Sequence, residues 1–151
     1  MRTAIVGIGN SLMRDDGVGV HVARALTETP LPCGVEVIDG GTDPDVVFAL
    51  DGFERVIVVD AMRGGEAPGT VYRLGGNVEF GGADRRACHD VGLLETLRAV
   101  RPIGEAPEVV LLGIEPEEIE WGTELSPSVR ASVSRVVEIV HGEVKRKTWR
   151  S

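Results

Sequence analysis

Thr3-Ala4-Ile5-Val6-Gly7-Ile8-Gly9 is an uncharged apolar run closed by glycine. It reads as a β-strand buried on both faces. Two later runs have the same character: Arg55-Val56-Ile57-Val58-Val59, which ends in Asp60, and Val109-Val110-Leu111-Leu112-Gly113-Ile114. Val35-Glu36-Val37-Ile38 is a shorter strand that stops at Asp39-Gly40-Gly41-Thr42, and Thr70 to Leu74 is a less apolar strand, expected near an edge. Helical patterns fall between the strands. Gly17 to Thr29 carries Val18, Val22, Ala25 and Leu26 at helical spacing, with Asp15 or Asp16 expected to cap its start and Pro30 and Pro32 to end it. A short helix is predicted over Pro44 to Leu50. Another is predicted over Asp90 to Val100, with Leu93, Leu94, Leu97 and Val100 on one face. Ser126-Pro127 opens the last helix, with serine as N-cap and proline in the first turn, and Val129, Val133, Val136, Val137 and Val140 form its stripe. Strands alternating with helices predict an α/β fold: three layers, with a mostly parallel twisted sheet and helices on both faces.

The chain of 151 residues suits one domain, expected over 1–142, with a short basic tail over 143–151 that contains Lys145, Arg146 and Lys147 and is expected to be mobile. Twenty glycines match many tight turns. A formal net charge of -8 argues against a nucleic-acid partner, because an acidic surface repels phosphate. The cysteines, Cys33 and Cys88, form no C-x-x-C pair, which fits a reducing cytoplasm. No apolar run is long enough to span a bilayer, so membrane insertion is not expected.

Ligands of open α/β sheets bind outside the carboxyl ends of the strands. Here those ends lead to Asn10, Asp15 and Asp16, to Asp39 and Thr42, and to Asp60. If the strands are parallel, these side chains share one rim. Acidic groups on one rim repel one another unless something positive sits among them, and a metal ion is the simplest solution. His89, just before a predicted helix, is the natural nitrogen donor, since a helix N-terminus disfavours imidazolium. Asp16, Asp60 and His89 are therefore the candidate metal ligands. The plainer alternatives are that Asp16 caps a helix, Asp60 stabilises the turn into Ala61-Met62-Arg63-Gly64, and His89 caps a helix or lies on the surface. Asp15 is read as a helix cap, and His21 and His141 as structural or exposed.

Other signatures are absent: there is no H-E-x-x-H, no G-x-S-x-G and no G-x-x-x-x-G-K-[ST]. Cys88 adjoins His89, but adjacent side chains at a helix start diverge, so an incidental thiol is the preferred reading. Gly7-Ile8-Gly9 resembles the start of a dinucleotide fingerprint. Leu12, however, replaces the next glycine, and Asp15 and Asp16 would repel a pyrophosphate there.

The same blocks, taken in order, resemble the hydrogenase maturation endopeptidases. Gly7-Ile8-Gly9-Asn10-Ser11-Leu12 with Asp15-Asp16-Gly17-Val18-Gly19 resembles the first block of that family, and Asp39-Gly40-Gly41-Thr42 the second. Val58-Val59-Asp60-Ala61 with Pro68-Gly69-Thr70 resembles the third, and His89-Asp90-Val91-Gly92-Leu93 the histidine block. Gly113-Ile114-Glu115-Pro116 and Leu125-Ser126-Pro127-Ser128-Val129 resemble the closing blocks. Order and spacing match from about Thr3 to Val140.

The resemblance implies a phosphorylase/hydrolase-like α/β fold and removal of a C-terminal extension from a [NiFe]-hydrogenase large-subunit precursor. It implies that Asp16, Asp60 and His89 are the metal-site residues, and that the metal is nickel met in the precursor; two carboxylates and one imidazole, with no thiolate, are not expected to hold nickel tightly in the isolated protein. Asp16 stands where some relatives carry glutamate, so its reach is one methylene shorter. Two routes stay open: a metal between these side chains polarises the scissile carbonyl, or it lowers the pKa of an attacking water. Asp39 is a candidate for orienting the peptide or accepting a proton, or it closes the Gly40-Gly41 turn. A non-catalytic factor that binds nickel or the precursor is the alternative function, and a nucleotide-binding domain a weaker one.

Overall fold

The computed structural model describes residues 1–75 and 107–146; Cys88, His89 and the predicted helix over Asp90 to Val100 lie outside the described residues. Five strands, β1 (Thr3–Ile8), β2 (Val35–Gly41), β3 (Arg55–Ala61), β4 (Val71–Gly75) and β5 (Glu108–Ile114), form one sheet in the order β2-β1-β3-β5-β4. β1, β2, β3 and β5 run parallel, and β4 joins the β5 edge antiparallel. The apolar runs take the inner positions: every residue of β1 and β3 is buried, whereas β2 and β4, at the edges, are mostly half-buried. An inner strand is covered on both faces, which is why its apolar residues are continuous instead of alternating.

Alternation along the strands divides the core in two. Ile5, Ile57, Val59, Val110 and Leu112 face α1 (Val18–Thr27) and α3 (Pro127–Lys145), meeting Val18, Val22, Leu26, Val129, Val136 and Val140. Ala4, Val6, Val56, Val58 and Leu111 face the other way and pack with Val46, Val47, Leu50 and Phe53 around the short α2 (Val46–Ala49). Each fully buried aliphatic side chain contributes about 1.5–3 kcal/mol relative to exposure, so these two layers carry most of the stability.

Three boundaries differ from the sequence reading. Asp15 and Asp16 do not cap α1. They lie in a 3-10 turn, Arg14–Gly17, and the residue before α1 is Gly17, which has no side chain to cap with. Ser126 occupies the N-cap position of α3, but its hydroxyl donates to the Asp15 carboxylate and not to its own helix. The last helix continues to Lys145, past the tail boundary expected after residue 142. Glu143 explains the extension: it is buried, and its carboxylate accepts two bonds from Arg73 of β4 (2.5 and 3.2 Å).

Two glycines set how the first helix meets the sheet. A Cβ on Gly19 would overlap the carbonyl oxygens of Ile8 and Val59, and one on Gly7 would overlap the Gly19 carbonyl. The start of α1 is therefore pressed onto the carboxyl ends of β1 and β3. Close approach of helix and strand accounts for this glycine pattern without a pyrophosphate.

Candidate active site

Parallel pairing brings the expected residues to one rim. Gly7 of β1 is in register with Asp39 of β2 on one side and Val59 of β3 on the other, and Asp60 pairs with Gly113 of β5. The 3-10 turn bearing Asp16 packs against the end of β3. Asp16 and Asp60 thus come from different segments to the same end of the sheet.

Asp16 is held from the loop that leaves β1. The Asn10 N–H donates to its Oδ2 (3.0 Å), and the Asn10 Oδ1 in turn accepts the Leu12 N–H (3.0 Å). Gly9 makes this loop possible: its φ is +128°, and a Cβ there would overlap the Asp16 carbonyl oxygen. Asp60 is fully buried and accepts the Ala61 N–H at 2.8 Å. It lies one residue inside the end of β3, not just beyond it, so alternation sends it to the face of Val56 and Val58. Burying a carboxylate is costly without compensating partners. A fully buried aspartate at the end of a central strand is one whose charge polar partners or a cation must balance.

Asp39 is half exposed, and its carboxylate lies 3.8 Å from the Arg24 guanidinium of α1. The turn after β2 is closed by backbone and by Asp43: the Asp43 N–H donates to the Gly40 carbonyl (3.1 Å), and the Asp43 carboxylate accepts the Asp45 N–H (2.9 Å). Among the described residues, no three His, Cys, Asp or Glu side chains are gathered as metal ligands. His89, the third member of the expected set, is outside them.

His21 is half-buried on α1, where burial first and the Arg24 charge second hold its pKa below the ordinary histidine value. It lines a groove of about 770 Å³ between α1 and α3 together with Leu125, Val133 and Val137, and neither Asp16 nor Asp60 takes part. The His141 ring meets the Thr29 hydroxyl (3.1 Å). Both histidines are half-buried on their helices. Cys33 is an exposed free thiol.

Sequence reasoning missed two carboxylates that support this rim. Asp15, read as a helix cap, is fully buried and accepts four bonds: from the N–H groups of Glu117 (2.9 Å), Glu118 (2.9 Å) and Ser126 (2.8 Å), and from the Ser126 hydroxyl (2.5 Å). Burial pushes its pKa up, but these bonds together outweigh burial and hold it below the ordinary carboxylate value. Asp15 thereby fastens the turn that carries Asp16 to the segment between β5 and α3. Glu115, just after β5, does the same for the loop after Asp60. Its Oε1 accepts the N–H groups of Gly64 (2.9 Å) and Glu66 (3.0 Å) and the Tyr72 hydroxyl (2.7 Å). Here too burial raises the pKa, and the bonds from Tyr72 and the loop backbone bring it below the usual range. The signal in the sequence was Glu115-Pro116 directly behind an apolar strand, which marks a carboxylate at the rim without naming its partners.

Residues 20–143 match the family model described as hydrogenase maturation protease. The chain is 33% identical over 145 residues to the hydrogenase 2 maturation protease of Escherichia coli, covering 93% of this chain and 88% of that protein. It is 32% identical over 144 residues to the hydrogenase expression/formation protein HupD of Bradyrhizobium diazoefficiens, covering 91% and 75%. Among solved structures, the maturating endopeptidase HybD of Escherichia coli superposes with a TM-score of 0.80 at 29% identity, covering 96% of this chain and 93% of that one. The [NiFe] hydrogenase maturation protease HybD of Thermococcus kodakarensis gives 0.78 at 30% identity, covering 96% and 100%. The family match spans most of the chain, and relatives of 30% identity or more cover it nearly throughout: this chain belongs to the hydrogenase maturation proteases and is an endopeptidase.

Proposed function

We propose that this endopeptidase removes the C-terminal extension of a nickel-loaded [NiFe]-hydrogenase large-subunit precursor, in the cytoplasm, and that Asp16, Asp60 and His89 are the residues that meet the nickel. The observation that carries the reading is the arrival of Asp16 and the fully buried Asp60 at one rim in a chain of this family. Among the described residues, no helix is long and apolar enough to cross a membrane.

The donor set fits a first-row metal: carboxylate oxygen and imidazole nitrogen both suit nickel. The set contains no thiolate, and affinity order alone would favour copper over nickel in it. Nickel therefore belongs to the substrate, delivered with the precursor and selected there. When present, it supplies Lewis acidity beside the scissile bond. The chain's own contribution is positional. Asn10 holds the Asp16 carboxylate through its backbone N–H, and Asp60 is fixed at the strand end by the Ala61 N–H. Asp39, exposed on the same rim, is available to orient the peptide.

The test is to incubate the protein with nickel-loaded precursor and record the intact mass of both. Cleavage gives a shortened large subunit, a released extension and an unchanged protease. A stable complex with no change in mass would instead identify a non-catalytic binding factor.

A further inference from the structure

Two large apolar side chains stand in the open beside the rim, Leu12 at 53% and Trp121 at 79% exposure. Met13 and Gly122 form an isolated parallel bridge, and Leu12 and Trp121 are the residues just before it on its two sides. The Gly122 N–H donates to the Leu12 carbonyl (2.9 Å), and the Arg14 N–H to the Gly122 carbonyl (2.9 Å).

This platform is fastened, not loose. Arg14 donates to the Glu118 and Glu120 carboxylates and to the Glu124 carbonyl. Asp15 holds the Glu117 and Glu118 N–H groups from below. The same turn carries Asp16, so the apolar pair is fixed relative to the candidate site. A single exposed leucine would need no explanation. A tryptophan and a leucine on the two sides of one anchored bridge, on the turn that leads to Asp16, have the character of an interface anchor. Around them the segment reads Glu117-Glu118-Ile119-Glu120-Trp121-Gly122-Thr123-Glu124; Arg14 is shared by Glu118 and Glu120 and Arg130 lies 4.0 Å from Glu124, so its four carboxylates outnumber these two cations and the border keeps a net negative charge.

We propose that Leu12 and Trp121 are the landing surface for the precursor: an apolar side chain flanked by basic residues, on the hydrogenase large-subunit precursor, packs against them while the extension lies over Asp16 and Asp60. The inference rests on the proposed function and adds to it a recognition surface and the chemistry of the segment it takes. Neither residue touches the reacting atoms. Their role is to raise the occupancy of the site.

The experiment is cleavage of nickel-loaded precursor over a range of precursor concentrations by wild type, Leu12→Ala, Trp121→Ala and Trp121→Phe. Both alanine variants remove exposed side chains and should melt as wild type does. Trp121→Ala should raise KM about tenfold with kcat within about twofold, as loss of an interface anchor does. Leu12→Ala should act in the same direction, and Trp121→Phe should restore most of the loss. The acidic border adds a salt dependence: for wild type, KM should rise between about 50 and 300 mM salt as the attraction is screened. An unchanged KM in Trp121→Ala, or a fall in kcat alone, would overturn the assignment. A KM indifferent to salt would overturn the basic character of the segment. If wild type fails to cut nickel-loaded precursor, the proposed function itself fails, and that is seen before any variant is compared.

Discussion

Replacing Asp15 by alanine should destabilise the protein more than any single change at the candidate ligands. Its carboxylate accepts three backbone N–H bonds and one hydroxyl bond, all within 2.9 Å. Glu117 and Glu118 lie in an exposed stretch, so water can replace the acceptor for their N–H groups. Ser126 is buried, and its N–H and hydroxyl would both be left without one. Bonds to a charged group are worth about 1.5–3 kcal/mol each, so the two at Ser126 alone put Asp15→Ala at about 3–6 kcal/mol. For a chain of this size that is a fall in Tm of roughly 10 °C. Asp15→Asn keeps one acceptor oxygen and should lose about half as much.

The acid limb of stability gives an independent check. The Asp15 pKa is lowered in the folded state, from an unfolded value of about 3.9. Above pH ~5 both states are ionised, and the contribution is fully present. As the pH falls further, the unfolded chain takes up the proton first, and stability drains away until the folded pKa is passed. Asp15→Asn should therefore show a flatter decline below about pH 4 than wild type. Urea unfolding of the three proteins at several pH values measures both effects. A loss under about 1 kcal/mol for Asp15→Ala, or parallel acid limbs for wild type and Asp15→Asn, would refute the reasoning.

Gly19→Ala should be severely destabilising, since its methyl overlaps two backbone carbonyls and the helix must lift off the sheet; thermal melting of the soluble fraction would show it. Glu115→Gln should loosen the loop after Asp60, with faster amide exchange at Gly64 and Glu66, because an uncharged acceptor holds the Tyr72 hydroxyl and both N–H groups less strongly. The lowered pKa of Glu115 predicts that wild type itself keeps this protection above the ordinary carboxylate range and loses it as the pH falls through the lowered folded pKa. His89→Ala should abolish precursor cleavage with little change in Tm, whereas Cys88→Ser should cleave nearly as wild type. An inactive but stable Cys88→Ser would favour a thiol mechanism.

The sheet was legible because its inner strands are uninterrupted apolar runs, and the runs at Thr3, Arg55 and Val109 are the three central strands. Helical spacing found α1 and α3 for the same reason, since each buries one stripe against the sheet. The antiparallel direction of β4 was not legible, because strand direction depends on the connection and not on the strand's own residues. Strand ends in a parallel sheet must share a rim, which is how Asp16, Asp39 and Asp60 could be grouped before any coordinates. The division of labour within that rim could not be read in the same way. Asp15 and Asp16 are neighbours of one residue type, yet Asp15 is occupied by partners 102 to 111 residues away. Local propensity suggests a cap for either residue, and only tertiary packing distinguishes the fastener from the candidate ligand. The same holds for Ser126, whose hydroxyl prefers a buried carboxylate to its own helix N-terminus.

Nickel carried by the precursor is what we propose Asp16, Asp60 and His89 recognise. The most direct test is cleavage by metal-depleted protease, with nickel-loaded and nickel-free precursor assayed in parallel by intact mass. Only the nickel-loaded precursor should lose its extension, and a chelator unable to strip the precursor should not prevent it. Equal processing of both precursors would contradict the claim and leave the three residues in need of another role.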